Sequence, residues 1–323
     1  MNRAEYLAAY RATRKSAPHL TKQAMTEVGT AFKQAGELVA EQVRKAELTD
    51  ASEFTIKSLQ NINLQLDEGS RIIRESLESE IPLSVDKLSS RITAIDEQYL
   101  DDAIARSGST LSRVKVKNLF VSLNVQMVVN TTSRIWSDGY TFSDRIWKVG
   151  QSYAEDMRRV LSAGLAQGRD PVKIAADLEK YIADGKQILA KRYGKLEAGT
   201  RQFVQRIPRN VDYRALRLVR SEIYTTLKEI GVSSGLANPA ALDLYDWVMQ
   251  AGRADWSCSC PEYAHEGPYR HDEVPSPPHP NCSCYVVARL MDTDQFIEDL
   301  KRWEAGERVD YLDEWKSAYY DAS

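Results

Sequence analysis

Residues 245–290 read YDWVMQAGRADWSCSCPEYAHEGPYRHDEVPSPPHPNCSCYVVARL. All four cysteines of the 323-residue chain fall in this stretch, as two C-x-C pairs: Cys258 with Cys260, and Cys282 with Cys284. Three of the four histidines, His265, His271 and His279, lie there too, the other being His19. Leu242 to Met249 alternates loosely and is rich in bulky residues, and Cys284 to Leu290 is β-branched and apolar, so each predicts a strand. Paired antiparallel, the two strands close a loop over 250–283 that has six prolines and little apolar content. A loop of that length with no core needs something to pin it.

Metal coordination supplies such a pin. Zinc takes four soft or borderline ligands in a tetrahedron. In extended chain, residues i and i+2 point to the same side, so each C-x-C pair presents two sulfurs together. The candidate ligands are Cys258, Cys260, Cys282 and Cys284, with His279 as a substitute for one sulfur, and the expected cofactor is structural Zn2+. One or two disulfides, or unligated thiols, are the other readings of the same residues. His265 and His271 read as surface residues of the loop.

Catalytic readings find less support. His271-Asp272-Glu273 matches the H-x-E of zinc deaminases, and Pro280 to Cys284 echoes their P-C-x-x-C, but the cysteine pair is one residue too close. No H-E-x-x-H, phosphate loop or nucleophile elbow occurs. The chain is read as a non-enzyme. The alternative is a zinc-dependent nucleic-acid enzyme, nuclease or deaminase-like, using His271 or His279 with Glu273.

Outward from this stretch the chain reads as mainly α, a multi-helix body carrying a small C-terminal β-hairpin. Met25, Val28, Phe32, Ala35, Val39 and Val43 recur at three and four residues and predict a helix over 21–47. Val85, Leu88, Ile92, Ile95 and Tyr99 make a second stripe, while 49–84 is polar and only weakly periodic. Residues 111–136 are apolar, their β-branched content leaves helix and strand both open, and a buried helix is the expectation. Ile146 to Leu165 marks an amphipathic helix stopped at Gly168. Asp170-Pro171 then caps a short helix with Ile174, Leu178 and Ile182 on one side. Leu216, Val219, Ile223, Leu227 and Ile230 predict a helix ending near Gly231. In the tail, Asp294 is expected to cap a helix bearing Phe296, Leu300 and Trp303, with Trp315, Tyr319 and Tyr320 as docking contacts.

These signals divide the chain into four regions: a helical 1–110, a helical core 111–236, the Cys/His element 237–290 and an acidic helical tail 291–323. The net charge of -3 points to no dominant polyelectrolyte partner. Locally, 186–220 holds ten Lys or Arg against Glu197 and Asp212, with aromatics interleaved. Lys191, Arg192, Lys195, Arg201, Arg206 and Arg209 are its candidate contacts to a phosphate backbone. A solvated face or a surface for an acidic protein is the plainer reading. The opening residues have no apolar run, and no stretch of about 18 apolar residues exists, so neither a secretory signal nor a membrane span is expected.

Several of these residues together resemble a known family. Arg220-Ser221-Glu222 on a helix, Trp247 on a strand, Asp255 before Cys258 and Cys260, and Pro278-His279-Pro280-Asn281-Cys282-Ser283-Cys284 are similar to the head-morphogenesis family of tailed bacteriophages, the Mu F-like minor head proteins. The family pattern runs R-[ST]-E, W, D-x-x-C-x-x-C, then P-x-H-P-x-C-R-C. This chain lacks one residue in the first cysteine pair and has Ser283 where arginine is usual. The likeness covers about half the chain, from about residue 141 onward, and leaves the first ~110 residues unidentified. It implies a minor capsid protein of the virion, at the head interior or portal vertex, made in the bacterial host cytoplasm. Its partners would be the portal protein, the major capsid or scaffolding protein, and double-stranded DNA during packaging or ejection, with no membrane. Some relatives carry fused toxin domains, so a phage-encoded toxin is a further alternative.

Overall fold

A computed structural model describes residues 1–47, 56–136, 138–166, 170–179, 213–249, 258–278 and 282–322. The described elements are α1 (Arg3–Arg14), α2 (Ala17–Glu47), α3 (Ile56–Ser107), α4 (Arg113–Ser133), α5 (Phe142–Ala166), α6 (171–179), α7 (Tyr213–Ala237), β1 (Ala241–Val248), α8 (Cys260–Glu266), β2 (Tyr285–Leu290), α9 (Thr293–Glu304) and α10 (Asp310–Trp315). The described residues are mainly α, with one two-stranded antiparallel sheet among them. No described helix is long and apolar enough to cross a membrane.

Contacts divide the chain into two interleaved units. One comprises Thr21–Pro82 and Thr132–Arg220. Its α2 stripe, Met25 through Val43, is buried as the spacing predicts. The weakly periodic segment before Pro82 is nonetheless helical, because its stripe is interrupted by small residues rather than absent. Ile62, Leu66, Ile73, Leu77 and Ile81 are buried, and Gly69 and Ser70 fill the gap between them. A Cβ on Gly69 would lie 3.0 Å from that of Ala35, and one on Gly150 would lie 2.6 Å from Ser70 Oγ. Close helix contact requires small residues there, and small residues hide the periodicity. The Asp170 carboxylate accepts from the Val172 amide at 2.8 Å, capping α6 as expected, and Ile174 and Leu178 are buried. Gly168 and Ile182 lie outside the described residues.

The other unit comprises Met1–Leu20, Leu83–Thr131 and Ser221–Ser323. The stripe Val85 to Tyr99 is buried here. Tyr6 and Tyr10 of α1, at 2.8 and 3.2 Å, and Asn238 after α7, at 2.8 Å, all donate to the Asp96 carboxylate, as does Ser234. One buried carboxylate thus ties three segments together. Helix α4 is a helix as expected but buries only one side, and its other side exposes valines, so the expectation of a buried helix holds for one face alone. In the tail, Trp315 donates to the Ala237 carbonyl at 2.8 Å and the Tyr320 hydroxyl accepts from the Ser112 amide at 2.8 Å, so both dock as expected. Tyr319 is half-buried. The cap of α9 is Asp292, not Asp294: its carboxylate accepts from the amides of Asp294 and Gln295.

Helix α7 runs on past Gly231 to Ala237. Gly231 is there for proximity, not termination. A Cβ at that position would stand 2.4 Å from the Val286 carbonyl oxygen of β2. One turn later, a Cβ on Gly235 would meet Ala288 and Tyr245 at 2.8 Å. The helix backbone therefore lies directly on the sheet against which the cysteines cluster.

Candidate metal centre

The sheet has Tyr245 opposite Ala288 and Trp247 opposite Val286. Those four side chains share one buried face, as the two-residue repeat of a strand requires. The same parity extended backward from Val286 includes Cys284 and Cys282. The second C-x-C pair thus presents both sulfurs on the face that α7 covers, as expected from extended chain.

The first pair behaves differently. Ser259 is the N-cap of α8, so Cys260 is the first helical residue, with Pro261 behind it. Helical entry breaks the i, i+2 parity: Cys260 turns into the cluster and is buried, while Cys258 is only partly buried and packs at its edge. The sulfurs of Cys260, Cys282 and Cys284 lie within 4.8 Å of one another, and Cys258 is outside that group. His279 lies outside the described residues.

Distance tests what this cluster can hold. Cys260 Sγ is 3.6 Å from Cys282 Sγ, and none of the four cysteines is in a disulfide. A disulfide needs about 2.05 Å. Two thiolates on one tetrahedral ion, each with a bond of about 2.3 Å, stand about 3.8 Å apart. The three buried sulfurs therefore fit a shared metal ion.

The surroundings are arranged for a negative sulfur cluster. Lys228 of α7 is buried, and its ammonium donates to the carbonyls of Cys282 at 3.3 Å and Tyr224 at 3.2 Å. Burial pushes its pKa down, while the charges of Cys282, Cys284 and Cys260 hold it up. Among the sulfurs, Cys282 is pulled well below the usual thiol range, by hydrogen bonds from Cys260 and Cys284 and by the Lys228 charge, against the cost of burial. Cys260 is pushed up by hydrogen bonding to Cys282 and then Cys284. For Cys284 the bond with Cys260 pulls down, but hydrogen bonding to Cys282, burial and the Cys282 charge outweigh it. The three thiols thus share their protons, and the buried Lys228 ammonium favours a thiolate among them. Sequence reasoning did not single out Lys228, since a lysine beside an apolar stripe reads as solvated.

The loop also has a core of its own, which the sequence reading denied it. Tyr263 meets Trp247 edge-on with ring centres 5.3 Å apart. Tyr269 exchanges backbone hydrogen bonds of 2.8 and 2.9 Å with Tyr245, and its hydroxyl donates to the Tyr263 carbonyl. Tyrosines in a proline-rich loop look polar in sequence; here their rings pack against the sheet.

His265 is exposed, as expected of a surface residue. His271 is placed more tightly: its Nδ1 is 2.8 Å from Asp243 Oδ1, and its amide donates to the same oxygen at 3.2 Å. Asp243 sits at an irregularity in β1 and has φ 51, in the left-handed region. Of the resemblance residues on α7, Arg220 and Glu222 are buried, so both belong to the interior. The six candidate phosphate contacts, Lys191, Arg192, Lys195, Arg201, Arg206 and Arg209, lie outside the described residues.

No family model, curated protein or solved structure matches this chain.

Proposed function

We propose that this chain is a minor head protein of a tailed phage, acting in head morphogenesis as a structural component, with a zinc ion stapling its β element. The phage reading is supported by the Arg220-Ser221-Glu222, Trp247 and Pro278 to Cys284 likeness. The structural role is carried by one observation: Cys260, Cys282 and Cys284 are all buried under α7 and the sheet. A metal held by buried sulfurs stabilises a fold rather than activating water. Soft sulfur donors at tetrahedral spacing select zinc among ions with no redox role. Cys258 or His279 would complete the four ligands. Portal, capsid or scaffolding subunits are the proposed protein partners, and the basic segment 186–220 the proposed contact to packaged DNA.

Metal content and thiol titration test the staple. About one zinc per chain, with thiols appearing only on chelation, is the expected result; a mass deficit of paired protons without metal would replace it by disulfides. Mass spectrometry of purified virions and procapsids tests the phage reading separately, and absence of the chain from both would remove it.

A second reading, a zinc-dependent nucleic-acid enzyme, draws on the Asp243–His271 pair, since an aspartate in a strained conformation orienting a histidine is a catalytic arrangement elsewhere. His271→Ala without effect on nuclease or deaminase activity, or no such activity in the wild type, would eliminate it.

A further inference from the structure

Helix α7 meets the sheet along one face. Lys228, Gly231 and Gly235 follow one another at three and four residues, so they share a side of the helix. The two glycines bring that side onto Val286 and Ala288. Lys228 stands one turn earlier, and its ammonium reaches the cysteine element: it donates to the Cys282 carbonyl at 3.3 Å and lies 5.7 Å from the centre of the Trp247 ring. Trp247 belongs to the same buried cluster as Cys260, Cys282 and Cys284.

Lys228 is the one buried lysine among the described residues, at 4% exposure. An ammonium taken out of water is costly unless a negative group answers it. Its hydrogen bonds go to the carbonyls of Tyr224 and Cys282, and no carboxylate among the described residues pairs with it. The negative groups that hold its charge up are the sulfurs of Cys282, Cys284 and Cys260. Those sulfurs lie within 4.8 Å of one another, so one counterion serves all three. On the zinc reading the charges balance. A divalent ion on three thiolates carries one net negative charge in an interior that penalises net charge, and one ammonium cancels it.

We propose that Lys228 is the built-in countercharge of the metal–thiolate cluster, a positioning residue without which Cys260, Cys282 and Cys284 hold the ion less tightly. This rests on the zinc reading. Lys228 supplies no ligand atom; it stabilises the negative charge that the loaded sulfurs carry. In the metal-free chain the same ammonium is a buried charge with less to answer it. Removing it therefore weakens metal binding without weakening the empty fold.

Competition of the full chain with a chromophoric chelator for zinc tests this, on wild type, Lys228→Met and Lys228→Gln. Methionine removes both the charge and the donor; glutamine removes the charge and keeps an N–H. Both variants are expected to bind zinc about 10- to 100-fold more weakly. The thermal midpoint of the metal-free chain should stay the same or rise. With cobalt(II) in place of zinc, the sulfur-to-metal charge-transfer band should move to longer wavelength in both, because the positive charge that held the sulfur electrons is gone. If Lys228→Met fails to fold, Lys228→Gln and its cobalt band decide. A wild type that holds zinc, with affinity unchanged in the variants, overturns the proposal and leaves the staple standing. Affinity kept by glutamine and lost by methionine assigns the effect to the hydrogen bond and also overturns it, as does a metal-free midpoint that falls in step with affinity. A wild type that holds no zinc overturns the staple itself, and this inference with it.

Discussion

Asp96 shows how one side chain can carry a junction. It is fully buried and accepts from Tyr6, Tyr10, Ser234 and Asn238. Replacement by asparagine turns an acceptor into a donor facing donors, and Asp96→Asn is expected to cost about 1–3 kcal/mol in urea denaturation. The pH dependence has a definite sign. Burial raises the carboxyl above its ordinary range and outweighs the four hydrogen bonds that lower it. A raised folded pKa means that the contribution of this group is complete below the unfolded pKa, near ~3.9. It is lost as pH rises through the folded value. The stability gap between wild type and Asp96→Asn should therefore be widest in acid and narrow toward neutrality; a gap that widens with pH would contradict this. Nothing at position 96 signals this role in the sequence, since an aspartate one residue after Ile95 reads as the solvated edge of a stripe. Only the arrival of α1 and α7 makes it the centre of a network.

At the scale of elements, the contacts of α7 with the sheet reverse an ordinary expectation. Gly→Ala in a helix interior usually stabilises by about 1 kcal/mol. At Gly231 the new Cβ would press to 2.4 Å on the Val286 carbonyl, a backbone atom that cannot swing aside. Overpacking of this kind costs about 1–3 kcal/mol and wins, so Gly231→Ala is expected to lower the thermal midpoint. A rise would mean that α7 does not lie this close. For α9, Asp292→Ala removes the carboxylate oxygen that accepts from two amides and should cost about 1 kcal/mol, while Asp294→Ala should cost less, by the same denaturation measurement. Strands, helices and the capped α6 were legible because their signals are local. The identity of the α9 cap and the reading of Gly231 were not: Asp292 and Asp294 both suit a cap, and a glycine at a helix end looks the same as a glycine at a crossing.

For the molecule as a whole, a metal at Cys260, Cys282 and Cys284 would join α8 to the end of β2 beneath α7. On the zinc reading, chelation should change the near-ultraviolet circular dichroism of Trp247 and Tyr263 strongly and the far-ultraviolet helix signal little. The helices have their own buried stripes, whereas the sheet element has two strands and a small aromatic cluster. Equal loss of both signals would mean that the element supports the entire fold; no change in either would mean that no metal is held. Acidification should act like chelation, because protons compete for thiolate ligands.

Repeating patterns along the chain were enough to establish a helical protein with one hairpin and four clustered cysteines, since helix and strand periods are set by each segment's own residues. Which sulfurs gather could not be read that way. Cys282 and Cys284 both reach the cluster in the stretch leading into β2, whereas Cys258 and Cys260 part company because a helix begins between them. The Lys228 charge, the glycine crossings and the two-sided α4 likewise depend on what packs from elsewhere, because burial and close approach are relations between segments distant in the chain.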